Sequence, residues 1–155
     1  MDVYEKLKAA GLDIQAHTPQ GGIYTAVMPF GKNLVYVSGT GPSCALCEDV
    51  TGKLGRDLTL EEGQQQARLC MLNILSNLHH DLGDLNRIKK FVKLLAFVSS
   101  ADDFYQQPQV VNGASSLLQE VLGKEAGLPA RSAIGVNVLP GNIPVEIEAL
   151  IELHE

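Results

Sequence analysis

The sequence predicts an α+β fold, with helices on one face of a mixed sheet. Three observations carry that prediction. Two long stretches, after Thr59 and around Pro108 to Leu122, repeat apolar residues at helical spacing. Short apolar runs of strand length stand before, between and after them. Behind a small leading helix the order reads β-β-α-β-α-β-β, an arrangement that puts one sheet against one helical layer.

The elements follow in order. Residues 2–10 read as a short amphipathic helix, ended by Gly11. Ile23–Met28 and Leu34–Val37 flank the turn chemistry of Pro29-Phe30-Gly31-Lys32-Asn33 and read as a β-hairpin. Ser38-Gly39-Thr40-Gly41-Pro42 closes it, and a long loop runs on to Asp57. Loops of that length in compact domains are often functional.

Thr59-Leu60-Glu61-Glu62 matches a capping box, in which Thr59 accepts from the helix and Glu62 reaches back. Ala67, Met71, Ile74, Leu75, Leu78 and Leu82 form the stripe of the helix that follows, which ends near Gly83. Ile88 to Val98 is long, apolar and β-branched, as a buried central strand requires. Ser100-Ala101-Asp102-Asp103 offers a helix start, with Pro108 in the first turn of the main helix, where a missing N–H is harmless. Val110, Val111, Ala114, Leu117, Leu118, Val121 and Leu122 give its stripe, and Gly123 its stop.

The last quarter reads as two paired strands joined by a tight turn at Leu139-Pro140. Alternation puts Ile134, Val136 and Val138 on one face of the first strand, and Arg131, Ala133, Gly135 and Asn137 on the other. In the second, Val145, Ile147, Ala149, Ile151 and Leu153 share a face opposite Glu146, Glu148 and Glu152. The sheet face away from the helices is expected to carry Arg131 and the glutamates. Arg131 and Glu146, one charge on each strand, suggest either a small polar ligand's site or an ion pair.

At 155 residues the chain is expected to form one domain, residues 1–155, that buries a full core without staples. A formal charge of −6 argues against a nucleic-acid surface. No apolar run has membrane length, and the N-terminus lacks a signal-peptide pattern, so a cytoplasmic location is expected. Cys44, Cys47 and Cys70 make an odd count, which favours reduced thiols. Cys44 and Cys47 have the spacing of half a zinc site or of a redox pair but read first as two loop thiols, with an adventitious disulfide or metal as the second reading. His79 and His80 suit a helix C-terminus, and His17 lies in an apparent loop with nothing to pair it.

An ordered set of short motifs resembles the reactive intermediate deaminase family, also called Rid, YjgF-type or L-PSP. Tyr24 precedes the first strand, and Val35-Tyr36-Val37-Ser38-Gly39 is similar to the family's hydrophobic-Ser-Gly strand end. Gln65, Ala67 and Asn73 resemble its Gln…Ala…Asn helix. Lys93-Leu94-Leu95-Ala96-Phe97-Val98 with Asp103-Phe104 resembles its third strand and turn. Pro129-Ala130-Arg131-Ser132 and Leu139-Pro140…Val145-Glu146-Ile147-Glu148 resemble its C-terminal signature. The chain departs from the better-known members at Thr40, at Gln107-Pro108 and at Ala133.

The resemblance implies a chorismate-mutase-like fold and a homotrimer with clefts between subunits. It implies hydrolysis of enamines and imines, such as 2-aminoacrylate, to 2-oxo acids and ammonia, without metal or organic cofactor. The implied catalytic residues are Arg131, which would hold the substrate carboxylate, and Glu146, which would position water. Tyr24, Ser38 and Gly39 would line the pocket. The implied partners are a small 2-imino or 2-oxo acid and further copies of the chain. The charge and the lack of a membrane-length run lead to no nucleic-acid or membrane partner being expected. A non-catalytic 2-oxo acid binding module is the second reading, and RNA cleavage the third.

Overall fold

The computed structural model describes residues 2–14, 21–45 and 47–155. The chain runs α1 (Val3–Ala9), β1 (Val27–Phe30), β2 (Leu34–Thr40), α2 (Leu60–Leu82), β3 (Ile88–Ser99), α3 (Gln107–Gly127), β4 (Ala130–Val136) and β5 (Val145–Leu153). This is the expected order, and helices α2 and α3 cover one face of the sheet.

Capping explains where α2 begins. The Thr59 hydroxyl accepts from the Glu62 N–H, and the Glu62 carboxylate accepts from the Thr59 N–H at 2.7 Å. Gly83 ends the helix at φ 81°, a left-handed position that suits glycine. The stripe of α2 is buried from Ala67 to Leu78, against the stripe of α3 from Val110 to Val121. The two helices approach closely at Gly113, where a Cβ would collide with the Gln64 carbonyl. Tyr4 ties α1 to this layer: its hydroxyl lies 2.8 Å from His79 Nδ1 and accepts from the Leu85 N–H.

The sheet order is β1-β2-β5-β3-β4. Neighbours are antiparallel, apart from β3 and β4, which run parallel. Val35, Val37, Leu94, Ala96, Val98, Val145, Ile147 and Ile151 bury the core face of the sheet.

Four expectations are corrected. First, β4 and β5 do not pair with each other, because β3 lies between them. The α3 crossover delivers β4 parallel to β3, as a β-α-β connection does.

Second, the faces of β4 are reversed. Arg131, Ala133 and Gly135 stand level with the buried Leu94, Ala96 and Val98, so they face the helices. Ile134 is exposed on the open face. Small residues fit the helical side because that side is crowded: a Cβ on Gly135 would lie 2.8 Å from Gln107 Nε2.

Third, Ser100–Asp103 forms a turn, and α3 starts at Gln107 with Pro108 in its first turn. Gly123 breaks α3 at φ 80° and ψ 175°, but a further helical stretch follows to Gly127. Fourth, β1 starts at Val27; Ile23, fully exposed, has no core to enter.

The cysteines also differ from expectation. Cys44 and Cys47 form a disulfide, their Cα atoms 5.3 Å apart across a short turn, within the span such a bond needs. Cys70 is free and buried. His17 lies outside the described residues. Among the described residues no helix is long and apolar enough to cross a membrane.

Candidate functional site

The site begins with an irregularity in β2. Val37 pairs with Ala149 and Thr40 with Ile147, so Ser38 and Gly39 together stand opposite Glu148. Two residues against one is a β-bulge, a device that turns the chain away from the ladder and re-aims side chains. The bulge is fixed locally. Ser38 donates its hydroxyl proton to the Thr25 carbonyl at 2.6 Å, and Thr40 donates to the Ser38 carbonyl at 2.8 Å.

Where β2 leaves the sheet, a cavity of about 310 Å³ opens between the bulge, the start of β5 and the polar side of α2. Tyr24, Ser38, Gly39 and Glu146 all line it, so four of the five sequence-predicted site residues come together. Asn73 and Ser43 are wall residues that the reading of the sequence did not place there. Asn73 on α2 donates its amide to the carbonyls of Gly41 and Ser43, at 2.9 and 2.8 Å, and so fixes the loop that forms one wall. The family-like Asn73 was a signal for this, although residues on a helix's polar side ordinarily read as solvated.

Among the described residues of the wall, Glu146 is the charged one. Its carboxyl group packs on Gly39, where a Cβ would come within 3.0 Å of Cδ. Glycine is what permits that approach. Among the described residues no hydrogen-bond donor and no cation meets this carboxylate. Burial therefore pushes its pKa above the ordinary value, and the charge of Glu148 adds to the rise. Glu148 itself accepts from the Tyr36 hydroxyl at 2.6 Å, which raises the Tyr36 pKa.

Arg131 lies elsewhere. Its guanidinium donates to the Ser115 hydroxyl at 3.0 Å, the Pro108 carbonyl at 3.2 Å and the Asn112 side chain at 2.7 Å, all on α3. Partial burial lowers its pKa, but a guanidinium remains charged at any physiological pH. It does not line the cavity of its own chain. β4 is an edge strand, and the Asn112 contact lies at the surface, so the group is reachable from outside the chain.

Chemically, the cavity offers a desolvated carboxylate suited to take a proton, hydroxyl groups at Tyr24 and Ser38, and a bulged backbone beside them. Among the described residues no group of three or more His, Cys, Asp or Glu side chains is placed to hold a metal ion.

Comparison with known proteins agrees with this fold. The family model described as Endoribonuclease L-PSP matches residues 15–153. Protein TCP17 of Trypanosoma cruzi is 41% identical over 152 residues, 98% of this chain and 94% of that protein. The crystal structure of Atu1372 from Agrobacterium tumefaciens, a protein of unknown function, is 40% identical and superposes with a TM-score of 0.88. That match covers 98% of this chain and 94% of the other. A Shewanella oneidensis protein, provisionally described as an endoribonuclease, is 30% identical with a TM-score of 0.93, over 99% of this chain and all of its own.

Proposed function

Since the chain belongs to the endoribonuclease L-PSP family, also called YjgF-type, we propose that its cavity hydrolyses small 2-imino acids, and their enamine tautomers, to 2-oxo acids and ammonia. The observation that carries this reading is Glu146: a half-buried carboxylate, without a donor or cation among the described residues, set against Gly39 inside a cavity. Carboxylates with raised pKa in clefts are candidates for proton transfer.

In the proposed reaction, water in the cavity adds through its oxygen to the imine carbon while Glu146 accepts one of its protons. The nitrogen gains a proton and becomes an amine on a tetrahedral carbon. That carbon then expels ammonia, its hydroxyl proton is lost, and the 2-oxo acid remains. Imine and water are consumed, and 2-oxo acid and ammonia are formed.

The substrate carboxylate needs a cation. Arg131 is the proposed anchor, because its planar fork matches a carboxylate. It faces α3 at the sheet edge, away from its own cavity, so the proposal places it across a seam between copies, in a homotrimer. A second copy's edge strand would then complete each cavity.

RNA cleavage fits less well. Among the described residues of the wall the ionisable acid is Glu146, and the chain carries a net charge of −6, so a phosphate backbone is repelled.

The test generates an imine in place, with an amino acid oxidase or a dehydratase, and follows 2-oxo acid release with and without the protein. Release should quicken, and Glu146→Gln should remove roughly 10²-fold or more of that gain. Equal rates for the two proteins would remove Glu146 from the chemistry. No acceleration of any imine, with saturable binding of 2-oxobutyrate, would leave a binding module.

A further inference from the structure

The Cys44–Cys47 disulfide stands immediately beyond the cavity wall. Gly41 and Ser43 line the cavity, and Asn73 holds both of their carbonyls. Cys44 follows directly. From these placements we infer that Cys44 and Cys47 form a reversible thiol–disulfide site whose state sets the rigidity of that wall. The inference does not depend on which reaction the cavity supports.

Four features favour it. Cys47 is exposed and Cys44 half-buried, so a small thiol reaches the bond from solvent. The ring it closes spans three residues in sequence, so its loss releases little chain entropy and need not unfold the protein. Among the described residues, the backbone bond that closes the turn beside the disulfide is Cys47 N–H to the Cys44 carbonyl, long at 3.3 Å. The far end of the loop is fixed independently: the Gly52 N–H donates to the Asn142 carbonyl at 2.9 Å and the Lys53 N–H to Asp57 at 2.9 Å. Loosening on reduction is therefore confined between the wall and Gly52.

Cys70 cannot take part. It is fully buried, its thiol lies 3.4 Å from the Val145 carbonyl, and burial holds its pKa well above the ordinary value. The exchange partner is an external small disulfide or thiol. In the oxidising direction, the Cys47 thiolate attacks one sulfur of a glutathione disulfide and expels one glutathione thiolate. The Cys44 thiolate then attacks the Cys47 sulfur of that mixed disulfide and expels the second. Two protein thiols lose two electrons and two protons, and one glutathione disulfide becomes two glutathiones.

The test equilibrates the full chain in glutathione buffers of graded ratio, then traps free thiols by alkylation and reads intact mass. Cys44 and Cys47 should lose reactivity together, in one transition, with Cys70 unlabelled until the protein is denatured. Amide exchange is then compared at the two ends of that transition. Reduction should speed exchange in residues 41–48 by about tenfold, with the α2 segment 60–82 unchanged. A double variant, Cys44→Ser with Cys47→Ser, should exchange like the reduced protein in both buffers. The inference fails if the two thiols never protect each other. It fails equally if oxidised and reduced protein exchange alike in residues 41–48.

Discussion

Arg131 and Glu146 lie two strands apart and on opposite faces of the sheet. Arg131 stands level with Leu94 on β3, and Glu146 with Phe97 on the same strand. The separation of three residues along β3 reverses the face, so no ion pair joins these side chains within one chain. Glu146 enters the cavity beside the bulge, whereas Arg131 serves the start of α3. If both act on one substrate, they do so from different copies of the chain.

Complementation between copies tests that arrangement. Arg131→Ala and Glu146→Gln should each be inactive in imine hydrolysis. Mixed and allowed to exchange subunits, the two variants should regain part of the wild-type rate, because some cavities then receive an intact Arg131 and an intact Glu146. Subunit exchange shown by mass, with no recovered activity, would refute a site shared across a seam.

Arg131 also has a structural duty that is separable from its proposed anchoring. Lysine keeps the charge but cannot span the Ser115 hydroxyl, the Pro108 carbonyl and the Asn112 side chain together. Arg131→Lys should lower stability by about 1–2 kcal/mol, read from the urea midpoint at constant slope. Ser115→Ala should cost about 0.5–1.5 kcal/mol and leave imine hydrolysis intact, since the guanidinium remains.

The pH dependence follows from Glu146. Its folded-state pKa is raised, so the native state holds this proton more tightly than the unfolded chain does. As pH rises from the ordinary carboxylate value through the raised one, stability falls, because a buried group must then ionise. Glu146→Gln should therefore be more stable than wild type at neutral pH, with the difference closing toward pH 4. Urea denaturation at several pH values checks the sign. The hydrolysis rate should rise over the same window, as the carboxylate becomes able to accept a proton; a flat profile would argue against a general base.

The sequence made the helices and the central strand legible because each rests on local signals. Thr59 and Glu62 announce the start of α2, and Gly83 its end. Alternation identified the buried face of β5. For β4 the same rule failed, because its two faces differ little in polarity and the decisive fact is long-range. Ala133 and Gly135 face the helices, with Gln107 closing the space at Gly135, while Ile134 faces outward. The partnership of β4 with β3 was also hidden, because the Leu139-Pro140 turn looks like a hairpin connection. At the site, Ser38 and Gly39 could be read from a motif. The bulge that aims them depends on the register between β2 and β5, which is a property of the sheet and not of either strand alone.

Gly39 is a position where a single methyl group separates activity from stability. A Cβ there would stand 3.0 Å from Glu146 Cδ and 3.1 Å from Oε2. The contact is with the end of a flexible side chain, so the carboxylate can swing aside while the backbone holds. Gly39→Ala should retain the fold, with a change in stability within about 1 kcal/mol. It should nevertheless lose imine hydrolysis by roughly tenfold or more, since even small misplacement of a reacting group is costly. A large drop in the unfolding midpoint would show instead that the bulge itself cannot accept a side chain.

Asn73 tests whether the wall facing Glu146 matters, and its substitutions separate hydrogen bonding from size. The amide donates to two carbonyls, Gly41 at 2.9 Å and Ser43 at 2.8 Å, which few other side chains can do from one atom. Asn73→Asp is nearly isosteric, yet an ionised aspartate has no proton to donate and would set its charge against two carbonyl oxygens. Asn73→Ala leaves the carbonyls to water. The aspartate variant should therefore be the more damaging, at about 2–3 kcal/mol against about 1–2 for alanine. In amide exchange both should loosen residues 41–45 and leave β3 untouched. Equal stability of the aspartate variant and wild type would mean that the loop keeps its place without Asn73, through its other contacts, the buried Pro42 and the neighbouring disulfide among them.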